Sequence, residues 1–394
     1  MNLPPLSLYI HIPWCVRKCP YCDFNSHNAP QALPQDEYVA ALLRDLDQDM
    51  PLAQGRSLGS IFFGGGTPSL FAPDAIARIL GDVARRLTFA PNIEITLETN
   101  PGTVEHGPFA GYRRAGVNRI SFGVQSFDDA ALKRIGRIHD AAQADRAVKQ
   151  AQDAGIENLN LDLMYALPQQ TLPGALSDVE KAILLQTPHL SHYQLTLEPN
   201  TQFAANPPPL PDEDSAWDMQ EACQARLAAA GYGQYEVSAY ARAGHECAHN
   251  LNYWTFGDYL GIGAGAHAKL TSASGAARRR WKLRAPKGYL EHAGTLRGIG
   301  GDDAIPTNQL PFEFMLNALR LNGGFAAADF TARTGLPLSA IDAQLAKAQQ
   351  RGWLTVDDKH VCATEFGRRF LNDVIGSFLP DKPSRRAHGG PPHD

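Results

Sequence analysis

Cys15, Cys19 and Cys22 stand in the spacing C-x3-C-x2-C, written out C15-VRK-C19-PY-C22. Thiolates this close hold a metal centre rather than a disulfide framework, and Cys223, Cys247 and Cys362 are scattered as small buried apolar residues would be. Two centres suit the spacing. A [4Fe-4S] cubane on three thiolates keeps one iron open to a bidentate small molecule, with Arg17 and Lys18 offsetting part of its negative charge. Structural zinc would instead take a fourth ligand from His11 or His27, both within loop reach. A second motif, IFFGGGTPS, sets Gly64, Gly65 and Gly66 ahead of Thr67 and Pro68. Glycines there let backbone groups approach a ligand closely, although a triplet by itself also suits a tight turn and matches no phosphate-binding fingerprint.

Both motifs follow short apolar runs, and those runs must position them. Ser7–Ile12, Ser60–Phe63, Ile93–Glu98, Asn118–Gly123, Asn158–Met164 and Ser191–Leu197 read as strands. They alternate with helical segments at Asp36–Met50, Pro73–Leu87, Val104–Ala115, Asp128–Ile135, Ala141–Ala154 and Leu172–Gln186. Six such βα units predict an α/β fold on a parallel sheet, open or curled into a barrel, with its site at the carboxyl ends of the strands. On this reading residues 1–205 carry the βα units and 206–310 form a sheet extension or lid, entered through the proline-rich connector Pro199–Asp214. That extension holds a helix at Asp214–Ala230, a strand at Gln234–Tyr240 and an irregular glycine-rich stretch to Lys269. Residues 311–379 end in Ala326–Gly335, Pro337–Arg351, Trp353–Val356 and His360–Ala363, the order of a winged helix, and 380–394 lack the apolar residues to fold.

With 394 residues, 44% hydrophobic and 20% charged, the chain is globular and long enough for two or three domains. A net charge of −5 excludes an overall basic field for nucleic acid, and Lys347 and Arg351 give the winged end little attraction for phosphate. The dense basic run Arg278–Arg284 reads as a strand with alternating outward charge; heme propionates or anionic lipid are its functional alternatives. The opening MNLPPLSLYIHIPW lacks a basic flank and a cleavage site, no apolar run is of membrane-spanning length, and the free thiols suit a reducing compartment, so the chain is expected to be cytoplasmic.

The cysteine loop and glycine-rich strand end, set in this order on βα units, resemble the radical S-adenosylmethionine (SAM) superfamily. The strings SLYIHIPWCVRKCPYCDFNSH, FFGGGTPSL, ITLETNPG, RISFGVQSF and NLDLMYALPQQT are similar to the branch holding the oxygen-independent coproporphyrinogen III dehydrogenases and the heme chaperones, over about residues 6–378. The resemblance implies a partial (β/α)6 radical SAM barrel with a [4Fe-4S] cluster on Cys15, Cys19 and Cys22 and SAM on its open iron. It further implies Tyr9 and Tyr21 beside them, Gly65, Gly66 and Thr67 along the methionine part, and Glu98 on the ribose hydroxyls. Gln125, Arg137 and Asp162 would fix the remaining polar groups; taken singly, the two acids would read as strand-end caps and the arginine as a solvated charge.

Two departures set the chain apart from the dehydrogenases. Phe24 stands where their further cysteine falls, and fourteen residues precede Cys15 where they carry a substantial extension. The string His249-Asn250-Leu251-Asn252-Tyr253-Trp254, H-N-x-x-Y-W, is a hallmark of the heme-chaperone branch. It implies His249 as an axial ligand of heme iron, with Tyr253 and Trp254 bordering the macrocycle, in a loop flanked by Gly244 and Gly257; His245 and His267 are the substitutes. The implied function is binding of heme and its delivery to heme-accepting proteins such as those of respiration. Radical cleavage of SAM is compatible with this reading, whereas porphyrinogen decarboxylation is not expected. A cluster-bearing DNA regulator is disfavoured by the acid-leaning charge, and a peripheral membrane contact and a homodimer are left open.

Overall fold

The computed structural model describes residues 3–102 and 108–380. The expected tail from 381 onward, and residues 103–107 of the expected helix Val104–Ala115, lie outside the described residues. Six parallel strands come first: β1 (Leu6–Ile12), β2 (Leu58–Gly65), β3 (Phe89–Thr99), β4 (Arg119–Gln125), β5 (Asn158–Tyr165) and β6 (His189–Gln194). Then come β7 (Gly233–Gln234), β8 (Ala239–Ala241), β9 (Asp258–Ile262), β10 (His267–Thr271), β11 (Ala277–Lys282) and β12 (Ile299–Ala304). All share one twelve-stranded sheet in the order β12-β11-β10-β9-β1-β2-β3-β4-β5-β6-β8-β7. The α/β expectation holds, with the six βα strands side by side and in sequence order at the centre.

Local sequence explains the central elements. In β1, LSLYIHI is buried on both faces, as a strand with neighbours on each side and layers above and below must be. The helix Pro73–Arg86 opens on a proline with Asp74 in its first turn and closes on Arg85 and Arg86, charges that complement its dipole. Its Ile76, Ile79, Leu80 and Val83 are buried at helical spacing, each burial stabilising by about 1.5–3 kcal/mol. The helix Ala141–Asp153 begins with a capping box between Asp140 and Gln143.

The extension is more ordered than its composition suggests. The stretch leading to Lys269, expected to be irregular, contains β9, which pairs parallel to β1, and the antiparallel β10. Its glycines permit close approach: Gly263 adopts φ +106° against the backbone of His11. The expected strand Gln234–Tyr240 is instead the short antiparallel pair β7 and β8, and β6 stops at Gln194 rather than Leu197. Arg278–Lys282 does form a strand, with Arg278 and Arg279 exposed as expected, but its cations are paired. Arg278 and Arg280 pair with Asp302, Arg280 also with Asp49, and Arg279 with Glu313, while buried Lys282 donates to Asp45 and Asp49. Arg280 and Lys282 clamp the extension to the helix Gln35–Asp49, whereas Arg278 and Arg279 stay exposed at the surface.

A second apolar core, around Phe314, Phe330, Leu345, Leu354 and Val374, lies in the C-terminal part and reaches Phe256 and Ala277 of the extension. There a strand at Phe325–Ala326, helices at Ala327–Thr334 and Asp342–Gln350, and the hairpin Leu354–Val356/His360–Ala363 follow one another in winged-helix order. No helix among the described residues is long and apolar enough to cross a membrane.

Candidate functional site

Residues from five neighbouring strands, β2 to β6, line one cavity of about 320 Å³. Flat, these strands would span about 19 Å, so their convergence requires a curled sheet. Gly65 comes from β2, Glu98 from β3, Gln125 from β4, Asp162 from β5 and Tyr193 from β6, with Gly66 and Thr67 just beyond β2. All but Gly66 and Thr67 lie in the carboxyl-terminal halves of their strands, where the βα order places a site.

The cysteine loop closes over this end. A two-residue parallel ladder pairs Trp14–Cys15 with His27–Asn28, and Ala29 N–H donates to the Cys15 carbonyl at 2.8 Å. Asn25 fixes the loop to the extension, its Nδ2 donating to the Ala264 and Arg284 carbonyls, each at 2.9 Å. Cys15, Cys19 and Cys22 all line the cavity and are half-buried. Burial pushes the Cys15 and Cys22 thiols above their usual range, so thiolate there needs a positive partner. Arg137 supplies one charge: its Nη1 donates to Cys19 Sγ at 3.5 Å, and its Nη2 is held by the Gly123 carbonyl.

The donor set argues against His11 as a zinc ligand. His11 has both ring nitrogens engaged, Nδ1 with the Tyr9 hydroxyl at 3.0 Å and Nε2 with the Asn25 carbonyl at 2.9 Å, and burial lowers its pKa to about 4. Among the described residues no three His, Cys, Asp or Glu side chains converge on one ion. A cubane takes each thiolate on a separate iron, so a wider spread of sulfurs fits the cluster rather than a lone zinc.

The cavity also fits a ligand rich in donors. Glu98 accepts the Gly65 N–H at 3.2 Å, and Asp162 accepts from Ser121 at 3.3 Å and Asn160 at 2.8 Å, leaving acceptor capacity on both. Burial and the nearby Asp162 raise the Glu98 pKa to about 8, and burial raises that of Asp162. Two carboxyl groups in one cavity favour donors or positive charge. The strand end tolerates only glycine: a Cβ on Gly66 would meet the Trp14 carbonyl oxygen at 2.5 Å, and Gly65 sits at φ +110° against the His11 ring. Gln125 holds a left-handed φ of 71° beside a register shift in β4, which turns its amide toward the cavity and the Tyr193 hydroxyl at 2.9 Å.

Tyr21, Gly65, Gly66, Thr67, Glu98, Gln125, Arg137 and Asp162 thus gather with the cysteines, as expected. Tyr9 does not line the cavity: it lies behind the wall, its ring stacked near Phe62 and His249 at 6.3 and 6.2 Å. Tyr193, Asn100 and Met164 line the cavity without having been singled out; their strand-end positions were the available signal.

The HNxxYW string lies apart from the cavity and is a helix, Ala248–Trp254, not the loop expected. Glu94 organises its start, accepting from Cys247 Sγ at 3.4 Å, Ala248 N–H at 3.1 Å and His249 N–H at 3.3 Å. His249 is buried at 4% exposure, stacked on Phe62 at 4.7 Å, and burial holds its pKa at about 3. Tyr253 meets His249 edge-on at 4.8 Å, and Arg320 lies over the Trp254 ring at 4.3 Å.

Fold and site together define a radical SAM protein. The model of the Radical SAM superfamily matches residues 9–180, and that of the HemN C-terminal domain matches residues 305–370. Coproporphyrinogen III oxidase (HemN) from Escherichia coli superposes with a TM-score of 0.79 at 24% identity, covering 95% of this chain and 90% of that one, which establishes a shared fold. Heme chaperone HemW of Escherichia coli is 51% identical over 381 residues, covering 97% of this chain and 100% of its own length. The Haemophilus influenzae and Bacillus subtilis proteins of that name are 50% and 33% identical, over 97% and 95% of this chain and 100% and 99% of theirs. The chain belongs to the HemW family.

Proposed function

We propose that this protein is a heme chaperone, which binds heme and passes it to heme-accepting proteins from a radical SAM core. The observation that carries the reading is the 51% identity to Escherichia coli HemW across both chains, a span that takes in the cysteine loop, the cavity and the HNxxYW helix alike. Cys15, Cys19 and Cys22 hold the [4Fe-4S] cluster; Gly65, Gly66, Thr67, Glu98, Gln125, Arg137 and Asp162 hold SAM, and Tyr21 borders both. When bound, the cluster supplies an open iron for SAM and an electron for its cleavage. Arg137 sets a guanidinium charge against the Cys19 sulfur, and Glu98 and Asp162 turn their acceptors to hydroxyl or amino groups of the ligand.

His249 is the imidazole proposed for heme iron, bordered by Tyr253 and Trp254. Its low pKa keeps it neutral, the form that ligates iron. Heme loading then requires the helix Ala248–Trp254 to move off Phe62. The carboxylates already paired with Arg278–Lys282 disfavour that run as the principal propionate or lipid site.

The test is anaerobic. Purified protein is titrated with heme, and transfer to an apo heme protein of respiration is followed optically, in parallel with incubation with SAM, reductant and coproporphyrinogen III. Heme binding and transfer without porphyrinogen turnover are expected. Protoporphyrinogen formed at a catalytic rate would overturn the chaperone reading in favour of the dehydrogenase.

A further inference from the structure

A chain of buried and partly buried hydrogen bonds joins the cavity to the HNxxYW helix. Asn160 Nδ2 donates to Asp162 Oδ1 and to Ser121 Oγ, each at 2.8 Å. Its Oδ1 faces His189 Nδ1 at 2.6 Å and accepts from Ser191 Oγ at 3.1 Å. The other ring nitrogen of His189, Nε2, meets the Tyr235 hydroxyl at 2.9 Å, and that oxygen accepts from the N–H of Cys247 at 3.3 Å. Cys247 is the cap residue of the helix Ala248–Trp254.

The chemistry fixes one direction for every proton. Asp162 is the acceptor, so Asn160 turns its amide nitrogen to it and its oxygen to His189. The oxygen requires a proton on Nδ1, and burial keeps His189 neutral, so Nε2 is a lone pair and the Tyr235 O–H donates to it. Tyr235 then has its oxygen free for Cys247. Each donor in the series points toward the carboxylate at the cavity, an arrangement in which bonds polarise one another in a dry interior. Buried Arg119 runs beside it: its Nε has no hydrogen-bond partner, lies 3.9 Å from Glu94, and its charge also reaches Asp162. Glu94 is the carboxylate that holds the first amides of the same helix.

We propose that this series, Asp162–Asn160–His189–Tyr235–Cys247, couples occupancy of the SAM cavity to the setting of the HNxxYW helix, with His189 and Tyr235 as positioning residues. The inference rests on the reading of the cavity as the SAM site and of the helix as the heme element. A ligand donor on Asp162 draws on the same carboxylate that ends the series and changes the hold on the helix cap. Coupling is reciprocal, so heme on the helix alters SAM affinity by the factor by which SAM alters heme affinity.

The experiment is hydrogen–deuterium exchange on the cluster-loaded protein with and without saturating SAM, read at the amides of Cys247, Ala248 and His249, with SAM affinity measured by calorimetry. SAM is expected to change their exchange rates by about fivefold or more. In Tyr235→Phe, which deletes only the hydroxyl, the response should fall to under about twofold while SAM affinity and iron content stay at wild-type values. His189→Phe, which cuts the series one bond nearer the cavity, should give the same loss if Tyr235→Phe folds poorly. SAM that binds the wild type without altering these amides, or a full response in the variants, overturns the coupling and leaves the chaperone reading standing. Failure of SAM to bind the loaded wild type overturns the coupling together with the reading of the cavity as the SAM site.

Discussion

At the residue scale, the cavity makes unequal demands on its side chains. Arg137 touches Cys19 and lines the cavity, so on the proposed SAM site Arg137→Ala removes a charge-assisted contact of about 1.5–3 kcal/mol. Calorimetry should show SAM affinity falling about tenfold or more, with iron content reduced less. Replacing Cys15, Cys19 or Cys22 by Ala should abolish the cluster, whereas Cys223→Ala, in the apolar core, should leave about four irons and four sulfides per chain by chemical analysis. Glu98 holds a proton up to about pH 8 in the folded protein and loses it near 4.5 when unfolded. The unfolded chain therefore binds fewer protons across that window, and the group's contribution to stability falls as pH rises from 4.5 to 8. Glu98→Gln should flatten that part of the curve of melting temperature against pH.

At the element scale, the helix Ala248–Trp254 depends on a carboxylate from another strand. Glu94 of β3 accepts three donors at the helix start and stands beside buried Arg119. Glu94→Ala leaves that guanidinium without its partner and should destabilise the protein by about 3–5 kcal/mol, with Glu94→Gln milder, in thermal or denaturant unfolding. His249→Ala should alter the Soret band of added heme and block transfer while sparing the iron–sulfur spectrum. Unchanged heme affinity and spectrum would make the string structural, a helix that fastens the extension onto β2 and β3.

Across the whole molecule, buried neutral histidines set the acid limit. Burial lowers His139 to about 3, His192 to about 4 and His249 to about 3 from an ordinary 6.5. Below pH 6.5 the unfolded chain takes up protons that the folded one refuses, so stability is full above 6.5 and is lost as pH falls toward the folded values. Each costs about 2 kcal/mol at pH 5. Glu98, near 8, and Asp178, raised to about 6 chiefly by burial, act in the opposite sense, so the melting temperature should peak near neutrality. His192 stacks on Tyr165 at 4.8 Å and its Nδ1 has no partner, so His192→Phe should reduce the acid loss in melts between pH 7.5 and 4.5.

The sequence by itself determined whatever depends on local order. Three thiolates in C-x3-C-x2-C, a glycine triplet ending a strand and acids at later strand ends each sit at the end of their own βα strand, and the parallel right-handed repeat brings strand ends to one side wherever it folds. Gln125 and Arg137, by contrast, were legible only through the resemblance to the radical SAM superfamily, since singly they read as an ordinary amide and a solvated charge. Only tertiary structure decided what hangs on partners distant in the chain. The HNxxYW segment is short and capped by no side chain of its own, and it is helical because Glu94, some 150 residues earlier, meets its amides. Tyr9 sits one strand position away from a cavity it was expected to line, because alternation along β1 turns its ring toward Phe62 and His249. The basic run looked free until Asp45, Asp49, Asp302 and Glu313 arrived from three other elements. Charge is a property of the residue, but whether it is available is a property of the fold.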